Sequence, residues 1–137
     1  MGIYFGTDGV RGVVNNDLTE ELAQMVGNAL SRLKKRAKII VGRDTRVSGS
    51  FLAVAFATGA LKGGANVVDV GIVPTAGISY LVKNKKADFG VVISASHNPK
   101  EYNGIKIFDS EGRKLNEKQE AVLERYFACP QMMPSTK

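Results

Sequence analysis

Six consecutive residues, Ser94-Ala95-Ser96-His97-Asn98-Pro99, gather two hydroxyls, an imidazole and an amide before a proline fixes the backbone. They directly follow the most apolar run of the chain, Phe89-Gly90-Val91-Val92-Ile93. A strand there would hold the hydroxyls at the rim of a sheet. A serine acting as an acyl-transfer nucleophile needs a base against its hydroxyl and a third group to orient that base. The single histidine, His97, is the residue next to Ser96, and neighbours in extended chain point apart. A G-x-S-x-G elbow is also missing. Hydrolase chemistry is therefore disfavoured. A serine that carries a phosphoryl group asks for less: donors around the phosphate and a cation to spread its charge. Arg11, His97, Lys106 and backbone amides are candidate donors. On spacing alone, a lone histidine is more often a structural hydrogen-bonder than a catalyst.

Two further segments carry polar groups in suggestive places. Gly6-Thr7-Asp8-Gly9-Val10-Arg11-Gly12 has three glycines in seven residues, which lets backbone amides approach a ligand, and Arg11 offers a bidentate phosphate clamp. Taken alone, such a segment is more often a simple turn. Gly42-Arg43-Asp44-Thr45-Arg46 places two arginines around an aspartate after a second apolar run. It reads either as a phosphate clamp with an internal counter-charge or as a self-satisfied Arg–Asp network. The network is favoured for Asp44, and the two readings are even for Arg43 and Arg46. A Walker A loop and a G-x-G-x-x-G fingerprint are both missing. With one cysteine, Cys129, and one histidine, neither an internal disulfide nor a multi-Cys or multi-His metal site can form.

The elements that must position these segments alternate. Thr19 is a candidate N-cap for a helix whose apolar residues Leu22, Met25, Val26, Ala29, Leu30 and Leu33 recur at i, i+3, i+4 spacing, with Lys34–Arg36 as its basic end. Ile39-Ile40-Val41 reads as a strand buried on both faces. Ser50 is a candidate cap for a second helix to about Leu61, closed by Gly63-Gly64. Val67–Gly71 is a strand, Ala76 to about Val82 a short helix, Phe89–Ile93 a strand and Ser94–Asn103 a loop. Ile105–Phe108 is a strand, Asp109–Gly112 a turn, and Asn116 caps a last helix through about Phe127. This alternation predicts an α/β fold: a three-layer α/β/α sandwich on a mixed, mostly parallel sheet of about four strands, with ligands beyond the strands' carboxyl ends.

The 137 residues make about one domain, and 44% hydrophobic content supplies a core. With 6 Phe, 4 Tyr and no Trp, small aliphatics must do most of the packing. No run approaches the roughly 18–20 apolar residues of a membrane span, and the N-terminus lacks signal-peptide character. A reducing cytoplasmic setting fits best. The net charge of +6 is uneven: Arg32–Arg46 holds seven Lys/Arg against Asp44. That suits a phosphate-bearing ligand or, in a different class, nucleic acid. No aromatic platform is interleaved with the basic residues, which weighs against a nucleic-acid module.

The segments Phe5–Gly12 (F-G-T-D-G-V-R-G), Gly42–Arg46 (G-R-D-T-R), Ser94–Pro99 (S-A-S-H-N-P) and Asn103–Lys106 (N-G-I-K), in this order, resemble the first domain of the α-D-phosphohexomutase family. The likeness runs to about Phe127, so residues 1–128 are expected to form that domain and 129–137 a disordered tail. It implies that Ser96 carries the catalytic phosphoryl group. A bisphosphate sugar would form as the intermediate, and phosphate would move between the 6- and 1-positions. His97 and Lys106 would flank the reacting oxygens, and Arg11 would contact phosphoserine or substrate phosphoryl. Thr7, Gly9, Arg43, Arg46, Asn98 and Asn103 would hold substrate or phosphate. Mg²⁺ would bind an oxygen of phosphorylated Ser96. The wording is closest to members acting on glucosamine phosphates, with mannose and glucose phosphates as runners-up. The family's D-G-D-x-D-R metal loop and its later sugar- and phosphate-binding domains are not in this sequence. The chain is thus expected to be one domain of a longer enzyme, inactive alone, with the remaining domains and a hexosamine or hexose phosphate as partners. Apolar surface left by the missing domains predicts self-association of the chain.

Overall fold

In the computed structural model, residues 5–6, 9–13, 18–94 and 102–127 are described. The strand at the centre is β5 (Phe89–Ile93), buried along its whole length because it has neighbours on both edges and layers on both faces. On one side lie β3 (Lys38–Arg43) and then β4 (Asn66–Ile72). On the other lie β6 (Tyr102–Phe108), β2 (Gly9–Val13) and β1 (Phe5–Gly6), giving the order β1-β2-β6-β5-β3-β4. β4, β3 and β5 are parallel, and β6 runs antiparallel to β5. These four strands are the mixed, mostly parallel sheet expected from the sequence. Two short antiparallel strands then extend it to six. The addition is β1 and β2, drawn from the segment read as a glycine-rich loop. A five-residue strand with two glycines and an arginine, Gly9-Val10-Arg11-Gly12-Val13, shows no apolar periodicity, so its pairing with β6 could not be read from pattern.

Right-handed crossovers fix the layers. From β3 through α2 (Ser48–Lys62) the chain steps outward to β4, and from β4 through α3 (Thr75–Asn84) it steps back past β3 to β5. Reversing the direction while keeping the hand puts α2 and α3 on opposite faces. The larger core joins Ile39, Val41, Val91, Ile93, Ile105 and Ile107 of the sheet to α1 (Glu20–Ser31), α2 and α4 (Glu117–Phe127). The smaller core holds Ile40, Val92 and Phe108 against Ile78 and Val82 of α3.

Small residues let α1 and α2 cross closely. A Cβ on Gly59 would stand 1.9 Å from the Gln24 carbonyl oxygen, and one on Gly27 would stand 2.1 Å from that of Phe56. Thr19 caps α1 as expected, its Oγ1 accepting from the Leu22 amide at 3.1 Å. Asn116 and Gln119 form a reciprocal capping box at α4, both bonds 2.8 Å.

Several expected boundaries shift, among them β6, which begins at Tyr102 inside the segment read as a loop to Asn103. α1 ends at Ser31, so Lys34–Arg36 lie beyond its last turn, in a turn where Arg36 adopts φ 57°. α2 begins at Ser48 rather than after Ser50, and its cap, Val47, makes no side-chain bond. α3 runs from Thr75 to Asn84, longer than the apolar residues alone indicated. The expected tail at 129–137, with Cys129, lies outside the described residues. Among the described residues, no helix is long and apolar enough to cross a membrane.

Candidate functional site

The carboxyl ends of β3 and β5 meet the beginning of β6 and the end of β2 at one rim. The register defines the arrangement. The Asp44 amide, just past β3, donates to the Ile93 carbonyl of β5 at 3.0 Å. The Ser94 amide, just past β5, donates to the Gly104 carbonyl of β6 at 2.9 Å. Gly104 in turn is the register partner of Arg11 on β2. Asp44, Ser94, Gly104 and Arg11 thus form a row across four neighbouring strands. At a strand spacing of about 4.8 Å, the Arg11 Cα is roughly 10 Å from the β5 backbone.

Local chemistry holds the row. Asp44 folds the next segment back on itself: its Oδ1 accepts from the Arg46 amide at 3.0 Å and its Oδ2 from Arg46 Nε at 3.1 Å. Arg46 is well covered, its side chain 12% exposed, so the pair is more than a solvated surface contact. Arg43 reaches the other way, its Nη1 3.7 Å from Asp69 Oδ1 on β4. A Cβ on Gly49, in the first turn of α2, would meet the Arg43 Cδ at 3.1 Å, so the arginine's stem lies against the start of that helix.

Asn103 is fully buried. Its Nδ2 donates to Ser48 Oγ at 2.8 Å, and its Oδ1 accepts from the Gly104 amide at 2.9 Å. Lys106 stands two residues further along β6, opposite Val92 and half-buried on the α3 side of the sheet. It has no hydrogen-bond or ion-pair partner among the described residues. Gly9 adjoins Val10, the register partner of Ile105, and so lies near the Lys106 level.

The structure therefore brings the backbone of Arg11 together with Arg43, Arg46 and Asn103 at the rim, and sets Lys106 on the α3 face of β6, the side opposite the one from which Asn103 reaches Ser48 of α2. Thr7, Ser96, His97 and Asn98 lie outside the described residues. Two participants were not read from the sequence, Ser48 and Asp69. The signal for Asp69 was a lone charge within the apolar strand Val67-Val68-Asp69-Val70. The signal for Ser48 was its place in Ser48-Gly49-Ser50, just ahead of an apolar helix. Among the described residues, no three acidic, histidine or cysteine side chains converge as metal ligands, so these residues alone do not fit a Mg²⁺ site.

Residues 2–131 match the family described as phosphoglucomutase/phosphomannomutase, alpha/beta/alpha domain I. The chain belongs to that family, as its α/β/α first domain. It is 51% identical over 135 residues to a phosphoglucosamine mutase of Bacillus subtilis (strain 168), covering 96% of this chain and 30% of that protein. It is 53% identical over 129 residues to a phosphoglucosamine mutase of Clostridium acetobutylicum, covering 91% of this chain and 29% of that one. Among solved structures, a phosphoglucomutase/phosphomannomutase family protein from Burkholderia thailandensis superposes with a TM-score of 0.81 at 29% identity, covering 97% of this chain and 31% of that chain. The chain thus spans under a third of the length of these relatives.

Proposed function

We propose that this chain is the phosphoserine-bearing first domain of a phosphoglucosamine mutase, which interconverts glucosamine 6-phosphate and glucosamine 1-phosphate in the cytoplasm. The observation that carries the reading is the single rim to which the register leads the Arg11, Asp44, Ser94 and Gly104 backbones. Ser94, the last described residue before Ser96, stands just past β5 at that rim.

In this reading Ser96 carries the phosphoryl group. A sugar hydroxyl attacks phosphorus, the P–O bond to Ser96 breaks, and a P–O bond to the sugar forms. The hydroxyl proton passes to the serine oxygen by way of a neighbouring base, His97 being the candidate. The bisphosphate then turns over in the site and returns its other phosphoryl to Ser96 by the reverse exchange. Lys106 and Arg11 supply cationic stabilisation where charge develops on the transferring group. The free ammonium of Lys106 suits that task, because no internal carboxylate among the described residues competes for it. Thr7, Gly9 and Asn98 would add donors to the phosphate. Mg²⁺, if bound in the longer protein, would spread charge on the phosphoryl oxygen of Ser96, and its further ligands would have to come from outside the described residues.

Relatives named phosphoglucosamine mutase match at about half identity, which favours glucosamine phosphate over mannose or glucose phosphate. The test uses the longer protein carrying this domain, with glucosamine 6-phosphate and Mg²⁺. Turnover should far exceed that with mannose or glucose 6-phosphate and should vanish in Ser96→Ala. Intact mass should show a gain of about 80 Da, one phosphoryl group, lost in the same variant. The 137-residue chain alone should show no turnover. A Ser96→Ala protein of full activity would refute the reading.

A further inference from the structure

We propose that Asn103 is a positioning residue that locks the start of α2 to the returning end of the serine segment, and through α2 sets Arg43 and Arg46. The inference rests on the phosphoserine reading. It moves Asn103 from the group that touches phosphate to the group that aims it.

Both ends of the Asn103 amide are spent inside the chain, on Ser48 Oγ at 2.8 Å and the Gly104 amide at 2.9 Å, and the residue is fully buried. A fully buried amide with a partner at each end exposes no atom to a ligand, and removing its partner leaves a costly orphan. The bond to Ser48 spans 55 positions of sequence and joins β6 to the first residue of α2. That helix start has no side-chain cap: Val47 makes no capping bond and is 92% exposed. Asn103 thus replaces a missing cap with a fastener from another element.

The consequence travels along named contacts. Ser48 is followed by Gly49, which packs on the Arg43 stem and whose amide donates to the Arg46 carbonyl at 3.0 Å. At the other end, Asn103 and Gly104 are the register partners of Gly12 and Arg11. The Gly104 carbonyl receives the Ser94 amide. One side chain therefore sits where the Arg11, Ser94 and Arg43–Arg46 segments share a frame.

The experiment compares Ser48→Ala, Ser48→Thr, Asn103→Ala and the Ser48→Ala/Asn103→Ala pair in the longer protein. Ser48→Ala removes only a hydroxyl and leaves the fold's core untouched. Expected are kcat losses of about ten- to a hundredfold in both alanine variants. KM for the sugar phosphate should stay within about twofold, because no ligand contact is removed. The double variant should be no worse than the worse single, and Ser48→Thr, which keeps the hydroxyl, should recover most of kcat. A raised KM at constant kcat would overturn the inference by making Asn103 a binding residue. Unchanged kcat with a lower Tm would overturn it by making the bond purely structural. Should the wild-type protein show no turnover, the phosphoserine reading falls. Amide exchange in Ser48→Ala then judges the fastener itself: faster exchange at Gly49 and Asp44 upholds it, and unchanged exchange refutes it.

Discussion

Replacing Gly59 by alanine sets two effects of opposite sign against each other. In a helix interior, alanine is favoured over glycine by about 1 kcal/mol, so propensity alone makes Gly59→Ala stabilising. Against this, the new Cβ would lie 1.9 Å from the Gln24 carbonyl oxygen, with the Gln24 carbonyl carbon at 2.8 Å. Both are backbone atoms of α1 and cannot rotate away. An ordinary carbon–oxygen contact is about 3.3 Å, so the helices must part by roughly 1.4 Å at the crossing, and a gap of that size forfeits a large share of the dispersion between facing atoms. Overpacking of this kind costs about 1–3 kcal/mol, and the rigidity of both partners points to the upper end. Subtracting the propensity gain leaves a net loss of about 2 kcal/mol, equivalent to a Tm lower by roughly 7 °C for a chain of this length. Urea unfolding followed by far-UV circular dichroism measures it: the midpoint should fall while the m-value holds. Gly64→Ala is the control, since φ is +95° there with nothing within 4 Å. It should cost about 1 kcal/mol through backbone strain alone. A Gly59→Ala protein more stable than wild type would refute the close crossing.

Lys106→Ala should cut mutase kcat by about two orders of magnitude or more. Its stability should change by less than about 0.5 kcal/mol, because Lys106 has no partner among the described residues; comparing kinetics with thermal melts checks both halves. Asp44→Asn should cost about 1 kcal/mol or less, shrinking in high salt as the Arg46 pair is screened, measured by urea unfolding at two ionic strengths. Asn116→Ala removes half of the α4 capping box and should cost about 1 kcal/mol, with faster amide exchange confined to the helix start.

The central strands and the helix caps were legible because each is a local matter. Phe89–Ile93 is five apolar residues together, and Thr19 and Asn116 stand one residue before their helices. The start of α2 was misread for a physical reason. Ser50 looked like a cap because serine caps by bonding its own helix, whereas this helix begins at Ser48 and is held by Asn103 from 55 positions away. The rim charges were legible in type but not in pairing. Seven basic residues between Arg32 and Arg46 suggested a field open to phosphate. Yet Arg46 is folded onto Asp44, and Arg43 leans on Asp69, whose strand comes later in the chain. Pairing across strands depends on sheet order, and sheet order is not a property of any window of sequence. On the proposed reading, Arg46 past β3 is fixed beside a neutralising aspartate, while Lys106 on β6, two strands away, has no carboxylate partner among the described residues, so the two would handle phosphate differently. Fixed, paired arginines set the shape of the rim at small net charge. In the same reading Lys106 would supply the charge that a moving phosphoryl group can feel, so Lys106→Ala should lower kcat with little change in stability, whereas Asp44→Asn acts first through the Arg46 pair.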